Sequence, residues 1–422
     1  MSLETKRIKE LFGYARTLTK EQGVGVMAGR AVGFFKRRFF GKKARYLPSA
    51  RTLDAQRADA AANAAGWPTI SILTPLYNTP PQFLQQLLDS VQAQTAPNWQ
   101  LVLVDASDDA HADVGETVRA RAAQDNRIVY AKIKNAGIAA NTNEAAKLAT
   151  GDYLALADHD DMLAPHAVYC MSKALAESGA PFAYSDEALF EKTPEHPRVG
   201  HFKPDYAPEY LMAVNYICHL AVFKKSLFDA VGGERPACDG AQDHDLFLRL
   251  VDEMQRSDPA AKPLHIPQVL YYWRVHAAST SGGTAAKPYV EQAAQRAVAD
   301  HLTATGRQGR VEAGLFPGTC HVVWDIPEPE PLVSILIPNK DHTDDLEKCL
   351  HSIYAKTTYE SFEVIVIENN STDPATADYY KRLPDRYDRA RVVTYKGGFN
   401  FSRINNAVIG VRCVVDRVFH VA

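Results

Sequence analysis

Short apolar runs punctuate this chain, and most of them stop on a proline or a carboxylate. Pro68-Thr69-Ile70-Ser71-Ile72-Leu73-Thr74-Pro75 reads as a buried strand halted by Pro75. Phe83, Leu84, Leu87, Leu88 and Val91 then recur at helical spacing, and Leu101-Val102-Leu103-Val104 forms a second strand that ends at Asp105. Arg127-Ile128-Val129-Tyr130 predicts a third strand, 135–149 an Asn- and Ala-rich helix, and Tyr153–Ala157 a fourth strand. Strands alternating with helices predict an α/β domain with a doubly wound, mostly parallel sheet. Ligands bind outside the carboxyl ends of such strands, so Asp105 stands where a cofactor or nucleotide would lie. A helix cap would put an Asp at the same position.

The pattern returns. Leu332-Val333-Ser334-Ile335-Leu336-Ile337-Pro338-Asn339 echoes the first strand, and Phe362–Asn369 echoes the second at the same offset, setting Glu368 opposite Asp105. Asn405-Asn406-Ala407 likewise answers Thr142-Asn143-Glu144. Repetition at such a distance means a duplicated domain. Carried further, the offset puts the counterpart of Asp158 at the end of the chain, so the second copy is expected to be incomplete and to lack an acidic cluster. Between the copies, Asp325–Pro331 alternates proline with acid, the signature of a stiff extended linker. The expected organisation is a basic, amphipathic helical region at 1–67, with an Ala-rich, low-order stretch from Ala55 to Gly66, a first domain at 68–310, a linker at 311–331 and a truncated second domain at 332–422.

Chemistry concentrates after the fourth strand, where Asp158-His159-Asp160-Asp161 puts three carboxylates in four residues. Adjacent carboxylates repel, and an ordered cluster wants a metal, a basic partner or full hydration. Oxygen ligands favour Mg²⁺ or Mn²⁺, ions that commonly hold substrate phosphates, whereas a solvated acidic turn would need no ion. At 422 residues, 46% hydrophobic and 23% charged, the chain has material for ordinary globular cores. A net charge of −3 gives no pull toward nucleic acid. The six cysteines include no C-x-x-C pair, which argues against a zinc site or a disulfide framework and suits a reducing cytosol. No apolar run approaches the ~18 residues of a membrane span, and Met1–Glu10 lacks a signal peptide's apolar core. Arg30–Arg45 interleaves Phe34, Phe35, Phe39 and Phe40 with Lys36, Arg37, Arg38, Lys42 and Lys43. That mix suits peripheral contact with an anionic membrane surface, and equally a basic arm packed on the next domain.

Five ordered motifs together resemble family 2 glycosyltransferases of the GT-A fold, in particular two-domain bacterial enzymes of O-antigen, rhamnan and capsule assembly. They are Ser71–Asn78, the strand ending at Asp105, Ala157-Asp158-His159-Asp160-Asp161, Gly240-Ala241-Gln242-Asp243-His244-Asp245-Leu246-Phe247-Leu248-Arg249, and Tyr272-Trp273-Arg274-Val275-His276. The resemblance runs from Pro68 to about His301 and again from Leu332 to the C-terminus. It implies an inverting, metal-dependent transfer of a sugar from a nucleoside diphosphate to a hydroxyl of a lipid-linked surface glycan, at the cytoplasmic face of the inner membrane. Pro75, Tyr77, Asp105, Asp158 and Arg274 would then bind the nucleotide sugar. Asp158, Asp160 and His276 would hold Mn²⁺ or Mg²⁺, with Asp161 assisting, and Asp243 would be the base that takes the acceptor proton. The family often carries two aspartates after the second strand; here the second is Ala106. Asp243 also suits a helix cap, His276 and Trp273 suit structural roles, and Tyr184–Glu187 and His201–Asp205 read as acceptor-side loops or solvated turns. Two other classes compete. A non-catalytic sugar-nucleotide or glycan-binding module would not need both Asp160 and Asp243. A nucleotidyltransferase would want a Gly-rich phosphate loop where this chain has Pro75-Leu76-Tyr77-Asn78-Thr79-Pro80.

Overall fold

The structure, a computed structural model, describes residues 46–276, 288–316, 318–412 and 417–420; the basic aromatic segment Arg30–Arg45 lies outside them. The chain divides between Val323 and Trp324 into two compact units.

The first unit opens with helix α1, Ala50–Asn63, where low order was expected from Ala55 onward. Alanine is the strongest helix former, and the helix has a proper start, since Ser49 Oγ accepts a hydrogen bond from the Thr52 N–H at 3.2 Å. Asp59 fastens it to the body through the Tyr169 hydroxyl at 2.6 Å and Lys173 Nζ at 2.8 Å. Then come β1 (Ile70–Leu76), α2 (Pro81–Gln92), β2 (Trp99–Asp105), α3 (Ala112–Ala122), β3 (Ile128–Lys132), α4 (Ile138–Leu148), β4 (Tyr153–Leu156), β5 (Met162–Leu163) and α5 (Ala167–Ser178). The remainder is β6 (Phe182–Phe190), β7 (Val199–His201), α6 (Pro208–Ala213), β8 (Ala221–Lys224), α7 (Lys225–Ala230), α8 (Gln242–Ser257), β9 (Leu264–Arg274), α9 (Pro288–Ala304), β10 (Gly309–Ala313) and β11 (Cys320–Trp324).

One sheet runs in the order β3-β2-β1-β4-β8-β6-β9-β5, with β7 beside β6. Strands β3, β2, β1 and β4 are parallel, as the alternating pattern predicts; β8 then enters antiparallel between β4 and β6, and β6 pairs parallel with β9. Strand alternation sorts side chains onto two cores. Ile70, Ile72, Leu101 and Leu103 pack with Leu84, Leu87, Leu88 and Val91 of α2 and with α3 and α5. Leu73, Val102, Val104, Leu154 and Leu156 pack on the other face with α4, α8 and α9. A sheet covered on both faces needs apolar residues at every position, which is why these strands read as unbroken runs. In β1 and β2 the register sets Leu76 opposite Asp105, so both strands deliver their next residues to the same edge.

Strands β10 and β11 pair as a separate two-stranded sheet. They occupy the first part of the stretch 311–331 read above as linker. Buried Cys320 and part-buried Val311 and Val322 pack them on the second core, a contact that the Pro-Glu alternation after Trp324 does not reveal.

The second unit holds β12 (Val333–Asn339), α10 (Thr343–Lys356), β13 (Phe362–Glu368), α11 (Pro374–Arg386), β14 (Ala390–Thr394), α12 (Phe401–Arg412) and β15 (Arg417–His420). Its sheet, β14-β13-β12-β15, is parallel throughout and repeats the order β3-β2-β1-β4. The register repeats too, with Asn339 opposite Glu368 and Val333 opposite Arg417, as Leu76 faces Asp105 and Ile70 faces Tyr153. Ser71 Oγ donates to Gln100 Oε1 at 2.7 Å, and Ser334 Oγ donates to Glu363 Oε1 at 2.6 Å. The duplication therefore reaches individual side-chain hydrogen bonds.

Candidate functional site

Every expected site residue of the first unit lies in a strand or at a strand or helix end on its main sheet. Pro75 is half-buried near the end of β1, and Tyr77, 49% exposed, follows it before the α2 turn. Asp105 ends β2 almost fully buried. Its Oδ1 accepts from the Ser107 N–H at 2.9 Å, and its Oδ2 accepts from the Tyr130 hydroxyl at 2.9 Å and Lys132 Nζ at 3.1 Å. Burial alone would raise this carboxyl, but the hydrogen bonds from Ser107, Lys132 and Tyr130 outweigh it and hold Asp105 below the usual carboxylate range. Ser107 Oγ in turn accepts from the Asn78 N–H at 2.8 Å, which ties the two strand-end turns together.

The acidic turn links β4 to β5, and its three carboxylates differ in surroundings. Asp161 is buried, its Oδ1 accepting the Arg274 N–H at 2.7 Å and its Oδ2 the Tyr271 hydroxyl at 2.8 Å. It braces the turn against β9. Asp160 Oδ2 pairs with His276 Nε2 at 2.7 Å, joining two residues of the expected metal set. Asp158, its side chain 45% exposed, lies 3.6 Å from Nε2 of His219. Burial of its surroundings and the nearby charge of Asp160 push Asp158 up to about 6.

The structure groups the ligand atoms differently from the sequence. Among the described residues, Asp158, Asp161 and His219 offer carboxylate and imidazole atoms within 4.8 Å of one another, a group that could hold a metal ion. Asp160 and His276 form the neighbouring pair. Hard oxygen donors beside one imidazole suit a divalent cation.

His219 escaped the sequence reading. It lies two residues before β8, the strand that enters antiparallel next to β4, and that non-local pairing brings it to the acidic turn. Its ring stacks on Tyr271, with centroids 4.7 Å apart. The stretches read as acceptor-side loops turn out to support it from inside. Glu187 accepts the His219 backbone N–H, Lys203 Nζ donates to the carbonyls of Ile217 and His219, and Glu187 and Lys203 form a buried pair at 3.5 Å. Asp186 accepts from the Lys203 N–H and from His265, both at 2.9 Å.

Arg274 is buried, with its guanidinium between the rings of Phe83 and Phe190 at 4.3 and 4.5 Å, and its Nε donates to the Asp160 carbonyl. These contacts point it at the acidic turn. Trp273 is half-buried, edge-on to His219 at 6.2 Å.

Asp243 sits in the first turn of α8, whose N-cap is Ala241, and its carboxylate makes no cap. Gln242 Nε2 donates to its Oδ2 at 3.3 Å, and the Cys218 thiol approaches at 3.8 Å. Burial, opposed by His219 and reinforced by Asp158, pushes Asp243 up to about 6, in the range of a general base that works near neutral pH. Two residues on, buried Asp245 takes the structural role, held by Arg249 at 2.6 Å and by Arg235.

The model of the glycosyl transferase family 2 matches residues 71–232 and 334–411. An uncharacterized protein, y4gI, of Sinorhizobium fredii is 37% identical over 81% of this chain and 37% of its own length. The O-antigen biosynthesis protein RfbC of Myxococcus xanthus is 32% identical over 82% of this chain and 26% of its own length. The chain thus spans little more than a third of one relative and about a quarter of the other. The crystal structure of S. aureus TarS 1-349 in complex with UDP-GlcNAc aligns with a TM-score of 0.44 at 15% identity, over 56% of this chain and 66% of that one. With the family model matching once in each of two repeated α/β sheets, the chain belongs to glycosyl transferase family 2, whose GT-A fold the first unit carries and whose first four strands the second unit repeats.

Proposed function

We propose that the first unit is an inverting glycosyltransferase that moves a sugar from a nucleoside diphosphate to a hydroxyl of a bacterial surface glycan. The observation that carries this reading is Asp243: a carboxyl raised to about 6, engaged in no helix cap, within electrostatic reach of Asp158 and His219. A base so tuned is largely ionised at neutral pH and still accepts a proton. In the proposed reaction Asp243 takes the acceptor proton as the oxygen attacks the anomeric carbon opposite the leaving diphosphate, and one displacement inverts that centre. Tyr77, Pro75 and the Asp105 turn would border the nucleotide at the strand ends. Asp158, Asp160 and His276, with His219 and Asp161 close by, would hold Mn²⁺ or Mg²⁺, which when bound supplies positive charge for the departing diphosphate.

The acceptor in this reading is a lipid-linked glycan of O-antigen, rhamnan or capsule type, met at the cytoplasmic face of the inner membrane; the name of RfbC supports it. That contact would be peripheral; no helix among the described residues is long and apolar enough to cross a membrane. The second unit, which keeps the strand-end turn, would serve as a sugar-nucleotide or glycan-binding module.

The test is a panel of UDP-, GDP- and dTDP-linked sugars with Mn²⁺ or Mg²⁺, comparing wild type with Asp243→Asn. Loss of about 10² to 10⁴ in turnover, with donor binding kept, is expected. Undiminished transfer by the variant would sink the assignment of the base, and donor binding without any turnover by the wild type would favour a binding module throughout.

A further inference from the structure

Asp243 has a second carboxyl beside it that neither its helix nor the acidic turn supplies. Glu234 lies in the loop between α7 and α8, 3% exposed, with its side chain against Asp243. The loop is built to hold it there. Gly232 and Gly233 both have positive φ, 77° and 74°, a conformation that glycine adopts without strain. A Cβ on Gly233 would come within 2.5 Å of Asn143 Oδ1. That Asn143 side chain clamps the Glu234 backbone from α4 on both sides, accepting the Glu234 N–H at 2.9 Å and donating to its carbonyl at 2.8 Å.

So tightly placed, the carboxyl is nonetheless short of donors. Among the described residues, Glu234 Oε2 is buried with no hydrogen-bond partner. The groups that face it are the Asp243 and Asp239 carboxyls and the Thr142 hydroxyl; its chain neighbour Arg235 is turned away to Asp245 and Asp300. Asp239 is itself engaged at the start of α4, accepting the Ala139 N–H at 3.1 Å. Two ionised carboxylates side by side, with no cation among the described residues paired to Glu234, would leave a buried charge uncompensated. A proton on one of them removes the charge and creates the missing donor in the same step.

We propose that Glu234 is a positioning residue that stays protonated at neutral pH and donates its carboxylic hydrogen to Asp243, fixing the base's orientation and leaving its other lone pairs for the acceptor hydroxyl. The inference rests on Asp243 being the base. Glu234 is the more deeply buried of the two and its Oε2 meets no donor among the described residues, whereas Asp243 is part-buried and accepts from Gln242 Nε2 at 3.3 Å, so Glu234 is the one that keeps the proton; burial and the adjacent Asp243 raise it in the same direction. Glutamine in its place would keep a neutral donor of the same length, and leucine would keep volume and remove the donor.

Two measurements on the full chain test this. The difference infrared spectrum of wild type minus Glu234→Gln at neutral pH should contain the carbonyl stretch of a protonated carboxylic acid; absence of that band would overturn the proposal whatever the chain's activity. With whichever nucleotide sugar of the panel wild type consumes, Glu234→Gln should keep kcat within about threefold, and Glu234→Leu should lose about tenfold or more in kcat with the donor KM unchanged, the worth of one charge-assisted hydrogen bond. Equal kcat in wild type and Glu234→Leu, or equal losses in both variants with native circular dichroism, would also overturn it. Persistence of turnover in Asp243→Asn would instead count against the base, and the infrared band would still report the proton on Glu234.

Discussion

The two units close the same strand-end turn with different chemistry. In the first, the Asp105 carboxylate accepts the Ser107 N–H; in the second, Glu368 accepts the Ser371 N–H at 2.5 Å. The second turn is one residue longer and its acid one methylene longer, so the side chain still reaches. The partner residues repeat as well, the Asn78 N–H donating to Ser107 Oγ and the Asp341 N–H to Ser371 Oγ. What does not repeat is the cation. Lys132 faces Asp105 across the β2–β3 register, and Thr394 holds the matching place beside Glu368. A strand-end acid in this fold therefore serves first to hold its own loop, and its neighbours on the adjoining strand decide what else it can do.

The comparison breaks most sharply at Asp243, because the described part of the second unit brings no such carboxyl to its strand ends. Asp243→Asn should abolish nearly all transfer, and Glu368→Gln should leave kcat within about twofold, measured side by side on one donor. A comparable loss in both would mean that the second unit takes part in the chemistry.

Next in size is the acidic turn, which among the described residues belongs to the first unit. Removing the Asp161 side chain strands the Tyr271 hydroxyl and the Arg274 N–H in a buried site, so Asp161→Ala should lose about 2–4 kcal/mol of stability in urea unfolding. Burial followed by the charges of Asp158 and Asp160 raises Asp161 well above its ordinary value, so the ionised form is the strained one. Asp161→Asn, neutral and of equal size, should stay within about 1 kcal/mol of wild type at pH 7. A large loss for Asn as well would show that the ionised carboxylate itself holds the turn.

Transfer should also depend on pH through the first unit alone. Asp243 must be ionised to take a proton, and its value near 6 means that kcat/KM rises with pH through about 6, falling roughly tenfold per unit below it. Because Asp243 and Glu234 interact, the measured midpoint belongs to the pair. A profile flat from pH 5 to 8 would remove Asp243 as the titrating base.

The strand-end residues were legible because each closes an apolar run that has to be buried on both faces of a sheet, and that pattern locates Asp105, Asp158 and Glu368 without any structure. Asp243 was legible only as one of two readings, cap or base, and the structure puts Ala241 at the cap position. His219, Glu187 and Lys203 were not legible as a group. They meet because β8 inserts antiparallel between β4 and β6, and a strand of four residues carries no local sign of which neighbours it will join. Glu234 was hidden for a related reason: its partner Asn143 is 91 residues away and its role depends on the left-handed turn at Gly232 and Gly233. The α1 helix shows the opposite error, an Ala-rich segment taken for low order although alanine favours helix wherever a cap starts it.

The smallest effect tests the cation that sets the two turns apart. Lys132 Nζ donates to Asp105 Oδ2 and to the Ser107 carbonyl at 2.7 Å, but its side chain is 46% exposed, so solvent screens much of the attraction. Asp105 is held below the ordinary carboxylate value, so the stability it contributes is present above about pH 4 and is lost as pH falls through its lower folded-state value. Lys132→Met removes one of the three side chains that lower Asp105 and leaves Ser107 and Tyr130 in place. The first unit should therefore lose about 0.5–1 kcal/mol at pH 7, and the gap to wild type should shrink as the pH is taken below 4. Three of the four tryptophans, Trp67, Trp99 and Trp273, lie in the first unit and Trp324 stands at its boundary, so tryptophan fluorescence in urea reports mainly on the first unit. Thr394→Lys supplies the converse: a lysine placed across from Glu368 should stabilise the second unit by a similar fraction of a kcal/mol, and a gap in Lys132→Met that persists unchanged at pH 3 would mean that Lys132 acts through the Ser107 carbonyl instead of through Asp105.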